Sequence, residues 1–240
     1  MPVGPCHPGD VEGEEHYPPE LGRGERRGAR YRDLHGTASP RDNIKRSGGR
    51  DPAGGPGADP HTYEGPGGMP VRILVAGGAG FIGGHLSESM CGEHNLTIVS
   101  RSPKTPGMAG LGVRTIPCDV ADGPAISGVI KEVEPEMIIH LAGGTSHARS
   151  FEDPSADLDV NARSTLHMLE GIRRADLECR LVLGSTFIVV GRPESLPVDE
   201  GSTCNPATPY AAHRLLAEHY CRIYANVYGM DTGVFRITNS

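Results

Sequence analysis

From Val71 onward, short apolar runs alternate with segments whose apolar residues follow helical spacing. Apolar, β-branched runs predict strands, which fall at 71–76, 96–100, 113–117, 136–142, 180–185 and 233–238. Helices are predicted between most of them, over 81–91, 125–133, a segment near 155–175, and 209–228. Such alternation is typical of a parallel sheet that is covered on both faces. With right-handed crossovers, it predicts a doubly wound α/β fold.

Residues 1–68 lack this pattern. They contain 15 Gly and 10 Pro but only five Val, Leu or Ile residues. Such a segment cannot bury enough apolar surface to offset its ordering entropy, so it is predicted to be disordered. Its 9 Lys or Arg are interleaved with 11 Asp or Glu, which favours a solvated coil over a nucleic-acid-binding arm. The composition also matches translated GC-rich DNA. We therefore predict that the folded unit is 69–240 and hypothesise that translation starts at Met69.

Composition narrows the function classes. The formal net charge is −7, which gives no electrostatic case for nucleic-acid binding. The six cysteines are scattered, with no CxxC pair and no metal-ligand spacing, so we expect free thiols in a reducing cytoplasm and no metal site. No apolar run approaches the roughly 20 residues that span a bilayer, and no signal peptide is visible. The expected protein is cytoplasmic, with no membrane partner.

A glycine cluster follows the first predicted strand. The stretch GGAGFIG places Gly77, Gly80 and Gly83 between that strand and the next helix, the context that a dinucleotide-binding motif requires. The first glycine permits a tight turn, the second lets a pyrophosphate approach the backbone, and the third lets the helix pack closely. The helix N-terminus supplies free N–H groups for the phosphates. This segment predicts a Rossmann-like NAD(P) site.

The same stretch resembles the fingerprint of the extended short-chain dehydrogenases, a family of NAD(P)-dependent nucleotide-sugar epimerases, dehydratases and ketoreductases. The likeness runs from about Val71 to Asn239 and includes CDV (118–120), HLAGG (140–144), STFIVVG (185–191) and the Y-x-x-x-K-like YAAHR (210–214). It implies contacts with NAD or NADP from Gly77, Gly80, Phe81, Ile82, Gly83, Ser100, Arg101, Asp119, Val120, Leu141, Ala142, Gly143, Asn161, Tyr210 and Arg214. Ser164 stands where the family's N-x-x-G-T has glycine.

The resemblance also implies catalytic roles. Tyr210 matches the base that removes the sugar hydroxyl proton, and Thr186 matches the Ser or Thr that binds the reacting oxygen. A free tyrosine has a pKa near 10, so it needs a cationic neighbour to ionise near neutral pH. The family has lysine one helical turn later, whereas this chain has Arg214, which keeps the charge but cannot relay a proton. Phe187 and Ile188 replace the Asp-Glu pair of 4,6-dehydratases, which argues against that reaction.

Cofactor choice and substrate are less constrained. NAD enzymes place an acid after the second strand, whereas this chain has Ser100 and Arg101, which slightly favours NADP. The chain ends in FRITNS, which resembles a family motif cut short, so most of the substrate-binding portion is expected to be missing; Asn239 matches a substrate-binding position. Three alternatives stay open, which are a nucleotide-sugar 4-epimerase, an NADPH-dependent 4-ketoreductase, and an inactive cofactor-binding module. A homodimer is one expected assembly.

Overall fold

The computed structural model describes residues 69–102, 113–144, 146–193 and 195–238. The predictions for residues 1–68 and for Asn239 lie outside this part of the chain and stay predictions. The strands are β1 (Arg72–Ala76), β2 (Asn95–Ser100), β3 (Arg114–Pro117), β4 (Met137–His140), β5 (Arg180–Thr186) and β6 (Thr232–Ile237). The helices are α1 (Phe81–Met90), α2 (Gly123–Val133), α3 (His147–Glu152), α4 (Pro154–Leu158), α5 (Ser164–Arg174) and α6 (Pro209–Tyr228). A π-helical turn (Asp159–Arg163) joins α4 to α5, and a 3₁₀ turn (Phe187–Val190) follows β5.

The strands form one parallel sheet in the order β3-β2-β1-β4-β5-β6. The chain moves outward from β1 to β3 and then returns to the other side of β1, so the direction of winding reverses between β1 and β4. In open α/β sheets, ligands bind at this reversal, beyond the carboxyl ends of the strands. The doubly wound α/β prediction is confirmed, and the fold places a binding crevice next to Ala76 and His140.

Both faces of the central strands β1, β2 and β4 are covered, which explains why these strands are largely apolar. In the edge strand β6, by contrast, Val234, Phe235 and Ile237 are exposed. In β1, Leu74 and Ala76 pack into a core with α2, α5 and α6, while Ile73 and Val75 pack on the opposite face. Side chains that alternate along a strand point to opposite faces, and here both sets are excluded from water. The continuous apolar runs in the central strands are therefore explained by a hydrophobic core on each face of the sheet.

Side-chain caps start the two helices that matter most for the site's framework. Asp122 accepts a hydrogen bond from the Ala125 N–H at 3.0 Å at the start of α2, and Thr208 accepts one from the Ala211 N–H at 3.1 Å at the start of α6. Such caps satisfy N–H groups that have no partner within the helix. The predicted 209–228 helix has the observed bounds of α6. Within the described ranges, no helix has the length and apolar character to cross a membrane.

Candidate active site

A cavity of about 420 Å³ opens at the carboxyl ends of the strands, where the winding reverses. Most residues predicted to contact the cofactor meet there, which are Gly77, Gly80, Ser100, Arg101, Asp119, Val120, Leu141, Ala142 and Gly143. A second cavity of about 390 Å³ lies at the opposite end of the sheet. Its arginines are already paired, Arg72 with Glu136 and Arg114 with Glu132. The carboxyl-end cavity is therefore the candidate site.

The glycine turn has the geometry that its sequence predicts. Gly77 has a φ of +84°, a conformation that favours glycine. A Cβ on Gly83 would overlap the Gly77 carbonyl oxygen and lie 2.7 Å from the Gly78 Cα, so α1 packs directly on the turn. At Gly80, by contrast, an added Cβ would meet only the Gly77 oxygen, at 3.2 Å. Packing inside the protein therefore does not demand glycine at position 80.

The start of α1 has free donors next to this turn. Gly80 is the N-cap residue, and no side chain accepts a hydrogen bond from the first turn. Phe81 and Ile82 occupy that turn and are exposed. Uncapped N–H groups and the positive end of the helix dipole form an anion site. This arrangement fits a pyrophosphate, as the glycine spacing predicts.

Tyr210 lies in the first turn of α6 and is almost fully buried. Its ring forms a T-shaped contact with the His147 ring, with 5.0 Å between centroids and 74° between planes. The Arg214 guanidinium carbon lies 5.8 Å from the centroid of the Tyr210 ring. The cation therefore lies over the ring of the tyrosine, within the range of a cation–π contact.

Arg214 is a buried cation, and the described residues provide no counter-charge for it. Only 4% of the residue is exposed, and its Nε and Nη1 atoms are buried without a hydrogen-bond partner. In the described part of the chain, no carboxylate forms an ion pair with it. An unpaired buried charge is expensive, so these orphaned donors fit a polar ligand with oxygen acceptors, such as a dinucleotide. The glycine turn, the uncapped helix and Arg214 together fit an NAD(P) molecule.

A family model for the NAD dependent epimerase/dehydratase family matches residues 73–240. The chain belongs to this family. The resemblance predicted from sequence is thus confirmed. The NAD dependence that gives the family its name agrees with the fit of the cavity to a dinucleotide.

Individual relatives of this family member include UDP-glucose 4-epimerases. The enzyme of Mycolicibacterium smegmatis is 32% identical over 169 residues, which cover 67% of this chain and 53% of that protein. A crystal structure from Brucella ovis in complex with NAD aligns with a TM-score of 0.65 at 28% identity, over 70% of this chain and 52% of that one. The NAD complex from Thermus thermophilus aligns at 0.63 and 32% identity, over 69% and 54%. This chain therefore spans about half the length of the relatives it matches.

A hydrogen-bonded chain that the sequence did not indicate supports the turn after β4. The fully buried Asn161 accepts from the Gly144 N–H at 3.1 Å and donates to Asp157 at 2.6 Å. His213 Nδ1 lies 3.2 Å from the other Asp157 oxygen and donates to it. Asn161 was predicted from family resemblance to contact the cofactor. Both the oxygen and the nitrogen of its side-chain amide form hydrogen bonds within the protein, so a direct contact with the cofactor stays a prediction.

A second network ties α6 to the last two strands. Glu218, which is 4% exposed, accepts from Ser185 Oγ at 2.5 Å and forms a bidentate pair with Arg236, with a shortest distance of 2.8 Å. The Arg236 Nη2 also donates to Cys204 Sγ at 3.1 Å. This ion pair raises the pKa of Arg236. Glu218 lies one turn beyond Arg214, so helical spacing alone could have placed it on the buried face.

Thr186 is the last residue of β5 and is almost fully buried. Its hydroxyl oxygen lies 3.4 Å from the Ile188 N–H, from which it accepts a long hydrogen bond. The proton of this hydroxyl has no acceptor among the contacts found in the described residues. Phe187 and Ile188 form the 3₁₀ turn that follows. The role of Thr186 in holding a sugar oxygen stays a prediction.

His140 is fully buried at the end of β4, and its tautomer follows from its contacts. Ser164 Oγ uses its only proton to donate to the Val160 carbonyl at 2.7 Å. It must therefore accept from His140 Nε2, which is 3.0 Å away. Burial, and secondarily the charge of Arg214, lower the pKa of His140 to about 3. The ring is thus neutral in the folded protein.

This neutral histidine makes stability depend on pH. The unfolded chain takes up a proton near pH 6.5 and the folded one does not, so stability is lost as the pH falls below that value. From about pH 7 to about pH 5.5 we expect a loss of about 1 kcal/mol in the free energy of unfolding. In His140→Asn, urea unfolding should show a smaller loss of unfolding free energy over this pH range. The control variant His219→Gln, at an exposed histidine, should show the same loss as the parent. Equal pH slopes in the parent and His140→Asn would contradict this account.

Proposed function

We propose that this chain carries the cofactor-binding and base-bearing part of a nucleotide-sugar 4-epimerase, with Tyr210 as the base. The observation that carries the proposal is the buried Tyr210–Arg214 pair on α6, whose guanidinium has orphaned donors beside a crevice suited to a dinucleotide. The relatives at 28–32% identity that are named UDP-glucose 4-epimerases support it. A UDP-hexose is the substrate class that they suggest.

The chain's own residues would hold the cofactor in a defined orientation. The amides of the Gly77–Gly83 turn and the first turn of α1 would bind the pyrophosphate, and Asp119 would accept from the adenine amino group. Arg214 would donate to oxygen atoms near the nicotinamide end. When bound, the nicotinamide supplies reversible redox chemistry at the sugar carbon. Removing hydride from an alcohol carbon also requires loss of the hydroxyl proton, which Tyr210 would accept while Thr186 holds the sugar oxygen.

The partner and site assignments follow from this proposal. A nucleotide-sugar substrate would be held by Thr186 and, beyond the described residues, by Asn239. The folded domain would be 69–240, with most of the substrate contacts supplied by the part of the relatives that this chain does not match. A homodimer and a cytoplasmic location are further parts of the proposal.

Substitution of Gly80 tests the cofactor position. Gly80 has extended backbone angles that valine tolerates, and its added side chain would point into the open crevice, where the phosphates must approach. We expect Gly80→Val to weaken NAD binding by at least about tenfold, measured by calorimetric titration, with little change in melting temperature.

Gly84→Ala is the matched control for this experiment. Its Cβ would lie on α1 3.9 Å from the nearest atom, the Gly78 oxygen, so affinity should be retained. If Gly80→Val binds NAD as the parent does, the cofactor does not lie at this turn.

A second candidate function is an NADPH-dependent 4-ketoreductase. The observation that favours it is the edge of the cavity beyond β2, which is lined by Ser100, Arg101 and Ser102. A carboxylate for the ribose hydroxyls is not found at this edge among the described residues, whereas an arginine and small hydroxyl side chains suit a 2′-phosphate. Reductases consume their cofactor and epimerases recycle it. Denaturing the purified protein and assaying released nicotinamide would separate the two functions.

Arg101 gives this candidate a direct test. We expect the parent to bind NADPH about tenfold more tightly than NADH, because an arginine–phosphate contact is a charge-assisted hydrogen bond. Arg101→Ala should remove most of this preference, measured by fluorescence titration of both cofactors. Arg222→Ala, an exposed arginine on α6 outside the cavity, should preserve it. Equal affinities in the parent would refute the role of Arg101.

A further inference from the structure

The Arg214 guanidinium lies against Gly143, a residue that lines the crevice and carries no side chain. A Cβ on Gly143 would overlap Arg214 Nη2, and it would lie 2.8 Å from the guanidinium carbon and 2.7 Å from Asn161 Oδ1. Real Cβ atoms essentially never approach a neighbour within 3.0 Å. A side chain at position 143 must therefore displace the guanidinium, the Asn161 amide, or both.

The guanidinium is the group that would move. Asn161 is fully buried and is held at both ends of its amide, by the Gly144 N–H and by Asp157. The Arg214 Nε and Nη1 atoms have no hydrogen-bond partner in the described part of the chain. The guanidinium also lies at the end of a flexible side chain, so it can move more easily than the Asn161 amide. A methyl group at 143 would push the cation away from the Tyr210 ring and out of its buried position.

We propose that Gly143 is a positioning residue for Arg214, and that the two residues form an interdependent pair. The missing side chain at 143 gives the wide guanidinium its buried place beside Tyr210. A lysine at 214 ends at the place of the guanidinium carbon and has no atom at the position of Nη2, so it removes the most severe overlap. The contacts at 2.8 Å and, with Asn161 Oδ1, at 2.7 Å remain and need a smaller shift, so lysine tolerates a methyl group at 143 better than arginine does. The functional consequence rests on the proposed function, because it is read as dinucleotide affinity.

A double-mutant cycle in the full chain tests the pair. Dissociation constants for NAD and NADPH are measured for the parent, Gly143→Ala, Arg214→Lys and the double variant. We expect Gly143→Ala alone to weaken binding by at least about tenfold. The added methyl group should cost clearly less affinity with lysine at 214 than with arginine, since lysine removes the overlap at the Nη2 position. Rescue by lysine is the outcome that general damage at position 143 would not give.

Gly144→Ala is the matched control. It adds the same methyl group one residue later, where its nearest neighbours would be Asn161 Nδ2 at 3.4 Å and Val160 Cγ1 at 3.7 Å, both ordinary contacts. Its effect on affinity should be the same with Arg or Lys at 214. If the effect of Gly143→Ala is also independent of residue 214, to within about twofold, the pairing is overturned.

A second measurement needs no cofactor. Phenylglyoxal modifies accessible arginines, and peptide mass spectrometry follows the rate at Arg214, which is 4% exposed in the parent. We expect Gly143→Ala to raise this rate by about fivefold or more and Gly144→Ala to leave it unchanged. If the parent binds neither dinucleotide but the rate rises, the proposed function fails and the pairing stands. An unchanged rate in Gly143→Ala overturns the pairing, whatever the affinities are.

Discussion

Tyr210→Phe is expected to reduce the interconversion of UDP-glucose and UDP-galactose by about 10²–10⁴-fold, the usual loss on removing a general acid-base group. The change deletes one hydroxyl and keeps the ring that packs against His147 and Arg214. Cofactor affinity should therefore change far less than the rate. Because the chain spans about half of its relatives, turnover is measured in the chain joined to the C-terminal half of the Mycolicibacterium smegmatis enzyme.

Two companion variants sharpen this test. Tyr220→Phe removes a hydroxyl from the same helix, at a residue packed against the core, and should retain full activity. Arg214→Lys should raise the rate or leave it similar, because a compact ammonium can give up a proton and a guanidinium cannot. Full activity in Tyr210→Phe would remove Tyr210 from the mechanism. If only Arg214→Lys is active, the natural chain is a cofactor-binding module.

The parts of the structure that sequence predicted well are those set by local signals. Strand runs with apolar residues on both faces indicated the two-sided sheet, and the helix predicted over 209–228 has the bounds of α6. The segment near 155–175 was predicted as one helix. It contains α4, a π-helical turn and α5, and the turn carries Asn161, a residue that holds the Gly144 amide. A helical turn of this kind often marks a functional site, but apolar spacing does not reveal it.

Contacts between distant residues escaped prediction because nothing near them in the chain marks the partner. His213 and Asp157 are 56 residues apart, and Ser185 and Glu218 are 33 apart. The predicted 136–142 strand ends at His140 in the structure, since the chain turns there to line the crevice. The sequence also did not reveal how an arginine fits at position 214, where the family has lysine, because the guanidinium lies against Gly143, which carries no side chain.

Removing one partner of the buried ion pair between Glu218 and Arg236 is expected to cause a large loss of stability. Glu218→Ala would leave the Arg236 guanidinium and the Ser185 hydroxyl without their acceptor. Breaking a buried pair by removing one partner costs about 3–5 kcal/mol. Since 21% of the Arg236 side chain is exposed, we expect a loss near the lower end, about 3 kcal/mol, in the free energy of unfolding measured with urea.

Glu132→Ala is the matched control, because it also removes a helical glutamate paired with a strand arginine, Arg114, at a surface where both side chains are more than half exposed. Its loss of unfolding free energy should stay below about 1 kcal/mol.

The double variant Glu218→Ala/Arg236→Ala should lose less stability than the sum of the single variants, because it leaves no buried charge unpaired. Amides of β6 should also lose protection from hydrogen exchange in Glu218→Ala, since the pair anchors this edge strand to α6. Equal losses in Glu218→Ala and Glu132→Ala would show that the network contributes no more than a surface contact.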